Sequence, residues 1–221
     1  MSEIKLCIFD MDGLLIDSEK YMWSVNEKRA IEELGYESDD LFLRTVMGIN
    51  RVSFRENMIK KYGKDFPIDE FLYRTSKYND EMINNGQLIV LKGAIELLEF
   101  LNSNNITCRV ATSTSKEVAL RMLNNTNLIN YFESIIAGDT IKNSKPDPEI
   151  FIKALGDYEK EEALIFEDSH NGVKAGTNAN IKVVLVPNVA ILSEEDKRSA
   201  YKVLNSLDET IEVIRRINNI K

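Results

Sequence analysis

Apolar positions along this 221-residue chain follow two rhythms. Short, near-continuous runs mark strands buried on both faces, and stripes spaced by three and four residues mark amphipathic helices. The first run is Ile4, Leu6, Cys7, Ile8 and Phe9, a strand over 4–9 that Gly13 breaks just after Asp12. From Asp17, a residue suited to an N-cap, helical spacing takes over. Tyr21, Met22, Val25, Ala30, Ile31 and Leu34 roughly keep the 3.6 period up to Gly35, a natural stop. Helices over 39–47, 51–62 and 68–84 follow, separated by Gly48, Gly63 and Pro67. No strand pattern is convincing between Asp17 and Gln87.

From Gly93 helices and strands alternate. Helix 93–103 places Ala94, Leu97, Leu98 and Leu101 on one stripe. Strand 106–111, helix 116–124 and a short strand at 134–137 come next. Asp147 can cap a helix with Pro148 in its first turn, where proline is best tolerated. Strand 163–167, helix 170–178, strand 181–186 and a final helix at 207–218 complete the chain. This alternation predicts an α/β fold, a Rossmann-like parallel-sheet core with helices on both faces. The interruption predicts an inserted all-helical cap domain over 15–89, leaving 1–14 and 90–221 as the catalytic core.

Composition narrows the function. Lys and Arg total 28 against 36 Asp and Glu, a net charge of −8. That balance argues against a nucleic-acid backbone or an anionic membrane as partner, since both need a basic patch. A small anionic substrate stays open, because a bound cation and a few placed Lys or Arg residues reverse the local field. Two isolated cysteines and one histidine exclude a zinc site. Cys7 and Cys108 fall inside strands and read as apolar filler in a reduced compartment. The first apolar run is too short for a signal peptide, and no run approaches a membrane span. A cytoplasmic monomer is expected.

The candidate chemistry sits where strands end. A parallel sheet delivers its strand C-termini to one edge, where ligands bind. IKLCIFDMDG (4–13) ends in Asp10 and Asp12, ITCRVATSTSK (106–116) in Ser113 and Thr114, and ALIFEDSHNG (163–172) in Glu167 and Asp168. An aspartate can attack a phosphoryl group, and a second carboxylate can shuttle the proton. Two anions this close need a cation between them, or one must keep its proton. Asp10, Asp168 and a backbone carbonyl near Asp12 could hold Mg²⁺, which takes oxygen ligands. Hydroxyls and N–H groups at a helix start bind phosphate oxygens. Lys145, kept from helical geometry by Pro146, could reach in to neutralise Asp10 and the phosphate. Each feature has a plain reading as a turn, a cap or a solvated lysine; their convergence speaks for catalysis.

Together these elements resemble the haloacid dehalogenase superfamily, in its phosphatase and β-phosphoglucomutase branch, over essentially the whole chain. DMDGLLIDSE matches the first motif, VATSTSK the second, SKPDPEIF the third and FEDSHNG the fourth. The resemblance implies Asp10 as nucleophile, Asp12 as acid/base, and Ser113 and the Thr114 backbone on the phosphate. It also implies Lys145 as the neutralising cation and Mg²⁺ held among Asp10, Asp12, Glu167 and Asp168. A helical cap between the first two motifs is the family's arrangement. Dehalogenases proper attack carbon without Mg²⁺ and lack the second aspartate, so Asp12 with Glu167 and Asp168 implies phosphoryl transfer.

The resemblance also frames two alternatives. Arg51 resembles the cap arginine that β-phosphoglucomutases place on the distal phosphate, and Lys116 matches a phosphate-side lysine of that branch. Their early cap histidine is absent, with Met22 in its place, and Met47 replaces a lysine expected before Gly48. Those losses favour hydrolysis of a small phosphorylated, sugar-phosphate-like metabolite over isomerisation. A non-catalytic phospho-acceptor module is the third reading, and a cap of this size counts against it. Arg44, Arg51, Arg55, Tyr21 and Trp23 are the candidates for specificity. Linkers near 14–17 and 86–92 should act as hinges. His170 reads as a helix-start residue, and the 159–162 and 193–198 charge runs read as exposed. No Walker-type or dinucleotide glycine loop is present.

Overall fold

Six parallel strands form one sheet in the order β3-β2-β1-β4-β5-β6. They are β1 (Leu6–Phe9), β2 (Thr107–Thr112), β3 (Ser134–Ala137), β4 (Ala163–Glu167), β5 (Lys182–Leu185) and β6 (Lys202–Val203). This computed structural model describes residues 2–18, 22–46 and 51–220, with the side chains of 22–24 and 51 outside the description. The helices are α1 (Lys28–Glu33), α2 (Asp40–Thr45), α3 (Arg51–Tyr62), α4 (Ile68–Asn84), α5 (Ala94–Ser103), α6 (Lys116–Asn125), α7 (Glu149–Leu155), α8 (His170–Asn178), α9 (Glu194–Ser199) and α10 (Thr210–Asn218). A π-helical stretch, Met22–Glu27, leads into α1. The result is an α/β Rossmann-like fold.

The near-continuous apolar runs become central strands because both faces of the sheet are covered. Side chains alternate along β1. Cys7 and Phe9 join Leu97, Leu98 and Leu101 of α5, Met122 of α6 and Ile214 of α10 on one face. Leu6 and Ile8 join Ile150 and Phe151 of α7 and Val173 of α8 on the other. Phe9 stacks on Phe166 of β4 with ring centroids 4.5 Å apart. Register aligns Phe9, the last residue of β1, with Val110 on one side and Phe166 on the other, so β2 and β4 run on past it to Thr112 and Glu167 at the same edge.

The chain between β1 and α5 packs a second apolar cluster, with Ala30, Ile31, Leu43, Met58, Phe66 and Phe71 at its centre. The two chain crossings between this cluster and the sheet lie side by side. Ile16 bridges Val90, Asp17 N–H donates to the Ile89 carbonyl at 2.8 Å, and Leu91 N–H donates to the Leu15 carbonyl at 2.9 Å. Asp80 of α4 pairs with Arg121 of α6, and the Asn125 amide donates to the Ile83 carbonyl at 2.8 Å.

Three local expectations need correction. Pro148, not Asp147, takes the cap position of α7, and Asp147 helps by accepting the Glu149 N–H at 2.9 Å. The final helix opens with a 3₁₀ turn, Leu207–Glu209, before α10. The 193–198 run is not wholly exposed. Asp196 is buried, where it accepts the N–H of the N-cap residue Ser193 at 2.8 Å and meets His170. β6 carries no apolar signal because both its residues are exposed at the sheet edge.

Candidate active site

The strand ends place the carboxylates. Asp10 follows β1 directly, and its N–H extends the ladder by donating to the Phe166 carbonyl at 3.0 Å. Glu167 closes β4 and Asp168 follows it. All three side chains are buried, and one oxygen of each lies within 4.8 Å of the others. Three carboxylates so close in a dry site repel strongly unless a cation enters.

Lys145 enters. Its Nζ lies 2.5 Å from Asp10 Oδ1, 2.6 Å from Glu167 Oε1 and 3.1 Å from the Ala111 carbonyl, which occupies all three ammonium hydrogens. Burial works against the lysine's charge, but Asp10 and Glu167 outweigh it and raise its pKa, so Lys145 stays cationic. The Asp10 carboxyl is raised to about 7, chiefly by burial, with Lys145 opposing the rise and Glu167 and Asp12 adding to it.

Glu167 is held from several directions. Its Oε2 accepts the N–H groups of Asp168 at 3.0 Å and Ser169 at 3.2 Å, and the Ser169 hydroxyl at 3.1 Å. Gly172 of α8 makes room for it, since a Cβ there would lie 1.8 Å from the Glu167 carboxyl. Asp12 stands outside the three-carboxylate group and is gripped by hydroxyls instead. Ser18 Oγ donates to its Oδ1 at 2.6 Å, and Thr114 and Thr112 donate to Oδ2 at 2.8 and 3.1 Å.

The remaining candidates divide. Ser113 is exposed in the loop after β2, at the same sheet edge; its carbonyl abuts Gly138, where a Cβ would come within 2.1 Å. Thr114 has committed its hydroxyl to Asp12. Lys116 is exposed at the first position of α6, with its N–H on Asp139 at 3.0 Å. Arg51 opens α3 and Trp23 lies in the π-helical stretch, both with side chains outside the description. Tyr21 and Met47 lie outside the described residues. Arg44 is exposed on α2. Arg55, a specificity candidate from the sequence, pairs with Asp69 at 2.8 Å. His170 heads α8, with Nδ1 2.7 Å from Asp196 Oδ1.

Sequence reasoning missed Ser18, Thr112 and Glu149. The first two read as ordinary capping or strand residues, because nothing in their spacing says that they meet Asp12. Glu149 accepts the N–H groups of Lys142 at 3.0 Å and Asn143 at 2.9 Å, holding the loop that delivers Lys145. The Lys153 ammonium and those two N–H groups bring its carboxyl down to about 2.

Chemically, the donor set is hard oxygen. Asp10, Glu167 and Asp168 suit a divalent cation such as Mg²⁺, which prefers carboxylates and keeps several waters. The residues present therefore fit Mg²⁺.

Comparison with known proteins agrees with this layout. The family model for haloacid dehalogenase-like hydrolases matches residues 7–186. A Drosophila melanogaster protein named "Probable pseudouridine-5'-phosphatase" is 31% identical over 215 residues, covering 94% of this chain and 91% of its own. A Thermotoga maritima "Phosphorylated carbohydrates phosphatase" is 32% identical over 180 residues, covering 79% of this chain and 81% of its own. The crystal structure of a β-phosphoglucomutase from Clostridium difficile superposes with a TM-score of 0.78 at 24% identity, covering 98% of this chain and 97% of that one, a likeness of fold. With the family model spanning most of its length, three motifs at strand ends on one edge of the sheet and Lys145 reaching Asp10 from the loop after β3, the chain belongs to the haloacid dehalogenase-like hydrolase family.

Proposed function

We propose that this protein is a Mg²⁺-dependent phosphatase acting on a small, sugar-phosphate-like metabolite through an aspartyl-phosphate on Asp10. The observation that carries this reading is Lys145, buried and bridging Asp10 at 2.5 Å and Glu167 at 2.6 Å. It sets a cation beside the attacking carboxylate and the developing negative charge, and opposes the burial that raises the Asp10 carboxyl. Two phosphatase relatives above 30% identity support the reaction class.

In this reading an Asp10 oxygen attacks phosphorus in line with the leaving oxygen. Asp12 gives its proton to the departing alkoxide and later takes one from the water that cleaves the acyl phosphate. Lys145 and the Ser113 hydroxyl stabilise the equatorial oxygens; the Thr114 N–H is engaged by Thr112 Oγ1 at 3.1 Å instead. Mg²⁺ held by Asp10, Glu167, Asp168 and the Asp12 backbone would supply positive charge against the repulsion between carboxylates and phosphate. Lys116 and Arg51 stand as candidate contacts to the rest of the substrate, a role to be measured on the complex. The working protein is expected to be a cytoplasmic monomer.

The test is ³¹P NMR with Mg²⁺ and a panel of phosphomonoesters that includes β-glucose 1-phosphate. Free phosphate should accumulate with the native protein, and Asp10→Asn should be inactive while melting as a folded protein. Substantial turnover by Asp10→Asn would overturn the nucleophile assignment. Phosphorus moving from the 1- to the 6-position would establish a mutase instead.

A further inference from the structure

Asp12 is held in a way that its proposed acid/base role does not by itself require. Three hydroxyls converge on one carboxylate from three segments: Ser18 from the crossing after β1, Thr112 from the end of β2, and Thr114 from the following loop. Ser18 and Thr112 are fully buried. A carboxylate oxygen has two lone-pair directions. Both on Oδ2 are occupied, by Thr112 at 3.1 Å and Thr114 at 2.8 Å, whereas Oδ1 accepts only Ser18 at 2.6 Å among the described residues. A proton on Oδ2 would displace a hydroxyl bond; a proton on Oδ1 need not.

The direction of the Thr112 hydroxyl is also set. Thr112 Oγ1 accepts the Thr114 N–H at 3.1 Å, so its single hydrogen is left for Asp12. The loop backbone therefore aims Thr112, and Thr112 aims Asp12. We propose that Thr112 and Thr114 are positioning residues that fix the Asp12 carboxylate in one rotamer and leave Oδ1 as the atom that carries the proton. The assignment rests on Asp12 being the acid/base. It concerns orientation, so it predicts a loss where the leaving group needs a proton and little where it does not.

The experiment compares kcat/KM for an alkyl phosphate and for p-nitrophenyl phosphate in Thr112→Val, Thr112→Ser and Asp12→Asn. kcat/KM reports the first phosphoryl transfer, in which an alkoxide needs a proton and a nitrophenolate does not. For Thr112→Val, about tenfold should be lost on the alkyl ester beyond any loss on the aryl ester, a modest part of what general acid catalysis supplies. Thr112→Ser, which restores the hydroxyl, should recover most of the difference. Equal losses on the two esters, or no loss on either, would overturn the positioning role. Full recovery by no substitution, with a lowered melting point, would mark Thr112 as structural only. Asp12→Asn separates the two readings: if it keeps alkyl-ester turnover, the acid/base assignment fails first.

Discussion

Lys145 stands between two carboxylates that would otherwise face each other in a dry pocket. Taking away one partner of such a buried set is costly, because the charges left behind have no water to turn to. Lys145→Met should lower stability by about 3–5 kcal/mol at pH 8 without divalent cation. The loss should shrink as pH falls and the stranded carboxylates take up protons, which urea melts at several pH values would show. An unchanged stability would mean that Asp10 and Glu167 move apart when the ammonium is gone. Lys145 also shows the limits of residue-scale reading. Pro146 identified an extended lysine, yet the Ala111 carbonyl that takes its third hydrogen is a backbone group, and no side-chain pattern reveals it.

Two elements carry the site at a distance. The first is the turn that Glu149 builds with the N–H groups of Lys142 and Asn143 and the Lys153 ammonium at 2.9 Å. Its carboxyl sits at about 2 in the folded chain against an ordinary value of 4.5. A depressed acid contributes stability above its unfolded pKa and loses it as pH falls through the folded value. The stability difference between native protein and Glu149→Gln should therefore be full above pH 5 and fade toward pH 2, and denaturation across that range would measure it. A constant difference would place the effect elsewhere. The second element is α8. Alanine ordinarily stabilises a helix relative to glycine by about 1 kcal/mol, but a Cβ at Gly172 would lie 1.8 Å from the Glu167 carboxyl. Overpacking should dominate: Gly172→Ala should destabilise by about 1–3 kcal/mol and reduce phosphatase activity, read by urea melt and phosphate release. A gain in stability would show that Glu167 yields.

Across the whole molecule, Asp10 lies far along the chain from Glu167 and Asp168, so its repulsion with them exists only when the sheet is formed. Anything that binds the folded site and ignores the unfolded chain stabilises by mass action, about 2.7 kcal/mol at a hundredfold excess over Kd. Mg²⁺ should raise the melting temperature of the native protein after EDTA treatment, and Asp168→Asn should largely abolish the rise; an equal rise in both would point to a site elsewhere. Much of this architecture was readable in advance. The runs at 134–137 and 163–167 marked β3 and β4 to the residue; in the fully buried β4 that follows from cover on both faces, which favours a near-continuous apolar run. The 3.6-residue stripes likewise marked the helices between them, and strand alternation implied that Asp10, Ser113 and Glu167 share an edge. What the chain alone left open was decided by contact. β6 has no apolar pattern because it pairs on one side and faces solvent. The grip of Ser18, Thr112 and Thr114 on Asp12, the burial of Asp196 beneath His170 and the commitment of Arg55 to Asp69 depend on which side chains meet after folding. Periodicity records which face of an element is buried; it does not record the neighbour on that face, and hydrogen bonds and charge pairs are properties of neighbours.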